Sequence, residues 1–248
     1  MDLRRIKHLI FDFDGTLGDS YGPLTESFNH VLCHFGRREL TPAEVRPWVG
    51  TGLEVVLTHF LGEERLEEAI RVFRKHYLKI CREGTKLMPG VRETLDALDG
   101  RYKLAVCSNK PGETLRDLAA YLDIARHFVV CLGAYDVPHL KPHPDLLLAA
   151  LAKLAASSTD TLYVGDTTTD AEFASSCGIP YVLVLGGSGT REELESAGAI
   201  AVLENIAQLP ALLGVGEVPP EKRSAPSNKR ESDRVSRESG LTTEDTEN

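Results

Sequence analysis

The sequence predicts an α/β fold: a doubly wound, Rossmann-like, mostly parallel sheet with a small helical cap inserted after the first strand. Three observations carry that prediction. Short apolar runs alternate with helical patterns along most of the chain, as in a parallel sheet covered by helices on both faces. Residues 20–86 break the alternation and offer helical patterns only. Acidic and polar clusters recur where the predicted strands end, and that edge is where open parallel sheets hold their ligands.

The elements follow in order. The first strand is expected over His8–Phe13, closing in Asp12-Phe13-Asp14-Gly15-Thr16-Leu17. Side chains alternate across a strand, so Asp12 and Asp14 share one face while Phe11 and Phe13 pack on the other. The insertion carries helical patterns over Leu24–His34 and Glu63–Cys81, and Met88-Pro89-Gly90 reads as its return hinge. Beyond it come strands at Tyr102–Cys107, Phe128–Cys131, Thr161–Val164, Tyr181–Leu185 and Ala199–Val202. Helices are expected over Arg92–Leu98, Thr114–Tyr121, Pro144–Leu154 with its proline in the tolerated first turn, and Ala171–Cys177 ending at Gly178. This gives a core of residues 1–18 and 87–215, a cap of 19–86 standing over the acidic pair as a lid, and a tail of 216–248. The tail is rich in charge, Ser, Thr and Asn with almost no apolar residue, too little to offset the entropy of ordering, so disorder is expected there.

Composition narrows the function classes. The 248 residues, 42% hydrophobic, suffice for one substantial core and a smaller module. A formal charge of -9 argues against a nucleic-acid partner, whose affinity rests on clustered Lys and Arg. No apolar run approaches a membrane span, and the basic start Met1–Lys7 leads into the first strand without a small-residue cleavage site. The five cysteines are scattered, mostly in apolar stretches, which reads as reduced buried thiols in a cytoplasmic protein, monomeric or homodimeric.

Four clusters stand where strands end: Asp12 with Asp14; Ser108-Asn109-Lys110; Lys141 in Leu140-Lys141-Pro142-His143-Pro144; and Gly165-Asp166-Thr167-Thr168-Thr169-Asp170. A parallel sheet brings them to one edge. Their chemistry suits phosphoryl transfer. Lys141, the Ser108 hydroxyl and nearby amides could hold a phosphate oxyanion. Asp12, Asp166 and the backbone carbonyl of Asp14 could hold Mg²⁺, a hard ion that prefers oxygen and would mask the repulsion between a carboxylate nucleophile and a phosphate. Asp12 would attack phosphorus to give an aspartyl phosphate, and Asp14 would protonate the leaving oxygen and then deprotonate water. Those roles require different environments for the two carboxylates.

These residues carry a family resemblance. From roughly Lys7 to Leu213 the chain resembles the haloacid dehalogenase superfamily of phosphatases, whose signature is an Asp-x-Asp-x-Thr strand end. All four motifs are present in the family's order: Asp12-Phe13-Asp14-Gly15-Thr16-Leu17, Ser108, Lys141, and Gly165-Asp166 with Asp170. The resemblance implies that Asp12 is the nucleophile and Asp14 the acid/base, that Asp12, Asp14 and Asp166 bind Mg²⁺ with Asp170 close behind, that Ser108 and Lys141 hold the phosphate, and that the insertion is the family's small cap. The dehalogenase branch lacks the second aspartate, so Asp14 favours phosphate chemistry. Within the superfamily the chain is similar to phosphoglycolate phosphatases and their neighbours, on Gly15–Ser20, Trp48-Val49-Gly50-Thr51-Gly52-Leu53, Ser108-Asn109-Lys110 and Lys141-Pro142-His143-Pro144. That implies 2-phosphoglycolate or another small phosphorylated metabolite as substrate, with Asn109, Thr51 and Gly52 among the substrate contacts. The same neighbourhood includes pyrophosphatases, nucleotidases and phosphosugar mutases, and a non-catalytic binding module on the same fold is the rival of another class.

Competing readings attach to several residues. Ser108 could cap the helix that follows it, and Asp170 could be the N-cap of a helix beginning near Ala171. Lys110 could reach a substrate carboxylate or lie at the site rim. Asp19 could cap the first helix of the insertion, and Trp48 reads as core of the insertion. His30, His34, His139 and His143 stand at no spacing from acidic partners that marks a ligand set. Gly186-Gly187-Ser188-Gly189 reads as a flexible loop rather than a phosphate cradle.

Overall fold

Alternating apolar runs build the sheet that positions everything else. In the computed structural model, which describes residues 2–216, β1 (His8–Phe11) opens the chain. The short strand β2 (Gly18–Asp19), helices α1 (Tyr21–His34), α2 (Pro42–Val45), α3 (Leu53–Leu61) and α4 (Leu66–Gly84), and the short strand β3 (Lys86–Leu87) follow. Then come α5 (Val91–Leu98), β4 (Lys103–Pro111), α6 (Gly112–Tyr121), β5 (Phe128–Ala134), α7 (Asp145–Leu154) and β6 (Thr161–Gly165). The described part closes with α8 (Thr168–Ser176), β7 (Tyr181–Val184), α9 (Arg191–Ser196), β8 (Ala201–Leu203) and α10 (Leu209–Leu212). Six strands form one parallel sheet in the order β5-β4-β1-β6-β7-β8, and β2 pairs antiparallel with β3. This is the α/β fold expected from the alternation.

Burial alternates along the central strands. Leu9, Phe11, Leu104, Val106, Leu162 and Val164 fall in one core cluster, and Ile10, Ala105, Cys107 and Tyr163 in the other. Both faces are thus covered by helices, which is why these strands read as near-continuous apolar runs. The strand order reverses at β1, which has β4 on one side and β6 on the other. The carboxyl end of β1 is therefore the topological switch point, where a crevice opens.

Strand ends differ from expectation where chemistry-bearing residues begin. Regular β1 stops at Phe11, although the Asp12 N–H still donates to the Val164 carbonyl (2.8 Å). The chain then turns, with the N–H groups of Leu17 and Gly18 both donating to the Phe13 carbonyl. β4 instead runs on to Pro111, carrying Ser108, Asn109 and Lys110 inside the strand, with a register shift against β5 between Cys107 and Pro111.

Between β2 and β3 every regular element is helical. In α4 the buried residues Ala69, Phe73, Tyr77 and Cys81 recur every four positions and form one apolar row. Phe73 packs on Phe28 of α1 with ring centroids 4.9 Å apart. Among the described residues no helix is long and apolar enough to cross a membrane. The charged tail expected from residue 216 lies, Gly216 aside, outside the described residues.

Candidate functional site

Asp12, Asp166 and Asp170 are all buried, with one carboxylate oxygen from each within 4.8 Å of the others. Lys141 sits among them. Its ammonium has three hydrogens and three acceptors: Asp12 Oδ1 at 2.6 Å, Asp170 Oδ1 at 2.9 Å and the Tyr163 hydroxyl at 2.7 Å. Tyr163 in turn donates to Asp170 Oδ1 (2.8 Å). The other oxygen of Asp170 accepts from the N–H groups of Asp166 and Thr167 and from the Thr167 hydroxyl. Thr167, not Asp170, is the N-cap of α8, and Asp170 is the third helical residue of a capping box. The helix starts a turn earlier than the periodicity suggested, because its first turn is polar.

Electrostatics separate these acids. Burial pushes the Asp12 carboxyl up to about 7, with Lys141 opposing and Asp170 and Asp14 adding to the rise. Burial, then Asp170 and Asp12, drives Asp166 well above the carboxylate range. For Asp170 burial acts upward too, but Lys141 and the Thr167 hydroxyl outweigh it and hold the group below its ordinary value. Burial acts against the Lys141 charge, and Asp12 and Asp170 overcome it, so its pKa is raised. Three buried carboxylates against one ammonium leave excess negative charge with oxygen donors only. That donor set fits a hard divalent cation such as Mg²⁺.

Two glycines allow the chain to crowd Asp166. Gly15 has φ +89°, and a Cβ there would overlap Asp166 Oδ2. A Cβ on Gly187 would overlap the same carboxylate. The Gly186–Gly189 run is thus not a free loop. Its Ser188 N–H donates to Asp166 Oδ2 (2.7 Å), while Thr16 Oγ1 donates to Oδ1 (2.9 Å). Arg46, from the helical insertion, donates to the carbonyls of Gly186 and Gly187 (2.5 and 2.7 Å) and lies over the Tyr21 ring. Sequence reasoning missed Arg46, since a lone arginine between helices carries no local signal.

Asp14 stands outside this acidic group. Its Oδ1 accepts a hydrogen bond from Ser20 Oγ and pairs with Lys110 Nζ at 3.2 Å. Lys110 is buried rather than at a rim, and it also donates to the Tyr77 hydroxyl of α4 (2.7 Å). Lys110 keeps its charge out of water, which proteins tolerate only with partners of this kind. Tyr77 escaped notice because it lies in the apolar row of α4.

The phosphate-binding candidates divide. Ser108 accepts from the Lys110 N–H (3.3 Å) and does not cap α6, which begins at Gly112. Both amide hydrogens of Asn109 are used and its oxygen accepts once: Oδ1 accepts from the Lys141 N–H (2.8 Å), and Nδ2 donates to the carbonyls of Gly50 (2.8 Å) and Lys141 (3.2 Å). It ties the Lys141 loop to the insertion. A cleft of about 860 Å³ separates insertion and sheet edge; Asp14, Asn109, Lys110, Trp48, Gly50 and Gly52 are among its walls. Trp48 both lines the cleft and packs on His59, with centroids 4.3 Å apart. Thr51 is not among the lining residues, and its hydroxyl donates to the Trp48 carbonyl (2.8 Å). Ser20 holds the N-cap position of α1 without a side-chain capping bond, and Asp19 Oδ1 accepts from the N–H of Tyr21, the first helical residue (3.4 Å).

The chain is similar to known proteins in sequence and fold. A family model described as haloacid dehalogenase-like hydrolase matches residues 9–184. Phosphoglycolate phosphatases of Escherichia coli and Yersinia pseudotuberculosis are each 30% identical, covering 85% and 86% of this chain and 93% and 95% of their own. The crystal structure of a predicted phosphoglycolate phosphatase from Haemophilus somnus superimposes with a TM-score of 0.77 at 26% identity, covering 84% of this chain and 98% of that one. A haloacid dehalogenase-like family hydrolase from Streptococcus pneumoniae shares the fold with a TM-score of 0.78, 24% identity and coverage of 84% and 98%. The chain belongs to the haloacid dehalogenase-like hydrolases, and within them it is similar to phosphoglycolate phosphatases.

Proposed function

We propose that the chain is a Mg²⁺-dependent phosphomonoester hydrolase that works through an aspartyl phosphate on Asp12, with a small phosphorylated metabolite such as 2-phosphoglycolate as substrate. One observation carries the reading. Asp12 is held by Lys141 at 2.6 Å beside Asp166, while Asp14 two residues on is held by a separate cation, Lys110. That separation suits a nucleophile and a proton carrier. Asp12, Asp166 and the Asp14 carbonyl would hold Mg²⁺, which when bound offsets the repulsion between carboxylate and phosphate.

In this reading the Asp12 oxygen bonds to phosphorus as the ester P–O bond breaks, and Asp14 gives its proton to the leaving oxygen. Asp14 then takes a proton from the water that attacks the aspartyl phosphate, freeing inorganic phosphate and restoring Asp12. Lys141 and the Ser108 hydroxyl meet the phosphate oxygens. Asp170 and Asn109 act through Lys141: Asp170 has its oxygens occupied and orients the ammonium, and Asn109 anchors the backbone of Lys141. Residues 19–86 serve as the cap, and Gly52 offers backbone to the substrate. The five free cysteines favour a reducing compartment, the cytoplasm. A phosphosugar mutase would need an acid/base above the cleft; none of His30, His34 and His59 lines it, and of the lysines of residues 19–86 Lys79 alone does.

A phosphate-release screen over small phosphate esters, with and without Mg²⁺, tests the reading. Release is expected only with Mg²⁺ and highest on a small acid such as 2-phosphoglycolate. Asp12→Asn should abolish release while circular dichroism stays native. Near-full release by that variant would overturn the mechanism, and isomerisation without net release would indicate the mutase.

A further inference from the structure

The loop that carries Lys141 also holds a group of side chains that phosphoryl transfer leaves unused. His139 and His143 flank Lys141 in sequence, and each presents Nδ1 to a different oxygen of Asp145, His139 to Oδ2 at 2.8 Å and His143 to Oδ1 at 3.0 Å. Their rings are 4.2 Å apart by centroid, and one ligand atom from each of the three residues lies within 4.8 Å of the others. Sequence spacing gave no hint of this, because a turn makes it: the His143 N–H donates to the Leu140 carbonyl (2.9 Å). Proline at 142 and 144 restricts the backbone on either side. Asp145 is the first residue of α7.

We propose that His139, His143 and Asp145 form a second metal site, for a borderline divalent cation of the Zn²⁺ or Ni²⁺ class. Neighbouring ligands of a tetrahedral zinc with bonds near 2.0–2.1 Å stand about 3.3 Å apart. The observed 2.8 and 3.0 Å separations, each to a different oxygen of Asp145, and the 4.8 Å within which all three ligand atoms fall bracket that spacing. Two imidazoles and a carboxylate suit Zn²⁺ or Ni²⁺, whereas the all-oxygen group of Asp12, Asp166 and Asp170 suits Mg²⁺. Both histidines are exposed, so an ion can enter and water can complete its coordination. A bound ion would fasten the segment on both sides of Lys141 to the first turn of α7.

The test is calorimetric titration of Zn²⁺ into the untagged full chain in excess Mg²⁺, beside Asp166→Asn, His139→Gln and the double variant His139→Gln/His143→Gln. The expected result is one micromolar Zn²⁺ per chain for wild type and Asp166→Asn, and affinity reduced roughly tenfold or more in the single and double histidine variants. Zn²⁺ should also raise the melting temperature of wild type but not of the double variant. Both histidines lie at the surface, and far-ultraviolet circular dichroism checks that the variants are folded. Absence of binding by wild type overturns the proposal. So does unchanged binding by the double variant, or binding lost in Asp166→Asn and kept in the double variant, which would mean that Zn²⁺ merely competes at the acidic group.

Discussion

Asp12 and Asp14 leave the same strand end two residues apart and enter opposite electrostatic settings. Asp12 meets two further carboxylates and shares Lys141 with one of them. Asp14 has Lys110 and the Ser20 hydroxyl to itself. The difference teaches that the roles of paired acids are set by which neighbouring strands deliver the counter-charges. The acid-rich side receives Asp166 from the turn after β6 and Asp170 from the first turn of α8, so it needs an external cation. The other side is neutralised internally by β4. Each of the following experiments attacks one side of that contrast.

The largest effect should come from the two lysines. Lys141→Ala removes the one ammonium from three buried carboxylates, and breaking such a pair costs about 3–5 kcal/mol. Chemical denaturation should register that loss in metal-free protein, and saturating Mg²⁺ should recover part of it. Turnover should fall roughly a thousandfold, and Lys141→Arg should not restore it, since a planar fork cannot replace a point charge with three tight partners. Lys110→Met should be destabilising as well, but Mg²⁺ should recover nothing. Equal recovery in both variants would break the contrast.

Proton linkage gives the next effect. Burial raises Asp12 from 3.8 to about 7, and Asp166 is also raised. Groups with raised folded-state values keep protons that the unfolded chain has released. Stability of the metal-free protein should therefore fall as pH rises from the ordinary carboxylate range towards about 7. The depressed Asp170 acts in the opposite sense, and its contribution disappears only in acid. The melting-temperature gain from Mg²⁺ should widen between pH 5 and 7.5 by on the order of 5 °C. A gain that does not change with pH would mean that Asp12 and Asp166 already lack protons in the metal-free fold.

Gly187→Ala tests how closely the backbone must approach the acid-rich side. The new methyl group meets Asp166, so the carboxylate must move. Mg²⁺ affinity should drop about 10–100-fold, as when a ligand's supporting partner is lost, with the Lys110 side unaffected. Titration of Mg²⁺ activation measures it, and unchanged affinity would remove the glycine run from the site.

Much of this was legible in the sequence, for identifiable reasons. The sheet was readable because strands buried on both faces are continuous apolar runs. The acidic motif residues were readable because parallel strands deliver their carboxyl ends to one edge, so Asp12 and Asp166, with Lys141 beside them, could be gathered without coordinates. Contacts made by single residues across the cleft were not. Tyr77 sits in an apolar helical row, Arg46 between two short helices, and Tyr163 inside a buried strand; periodicity assigns each to core or surface. The Gly186–Gly189 run was misread because composition cannot distinguish a loose loop from a backbone pressed against a carboxylate. For Asn109 position alone suggested a ligand contact; the structure adds that its amide bonds to Lys141 and Gly50 while the residue lines the cleft.

Tyr77→Phe should have the smallest effect and probes the neutralised side most finely. The change removes one acceptor from Lys110 but keeps the ring beneath the ammonium, 4.9 Å from its centroid. Lys110 still has Asp14 at 3.2 Å, so the loss should be about 1–2 kcal/mol. Burial pushes the Tyr77 hydroxyl up to about 12, so it stays protonated at neutral pH and is no proton carrier. Its function would then be to fasten α4 to the partner of Asp14. The expected signature is a KM a few-fold higher with kcat nearly unchanged, because the cleft wall loosens while the proton carrier keeps its cation. A kcat loss as deep as that of Asp14→Asn would instead put Tyr77 in the proton path, and the neutralised side would then be a relay rather than a single shielded acid.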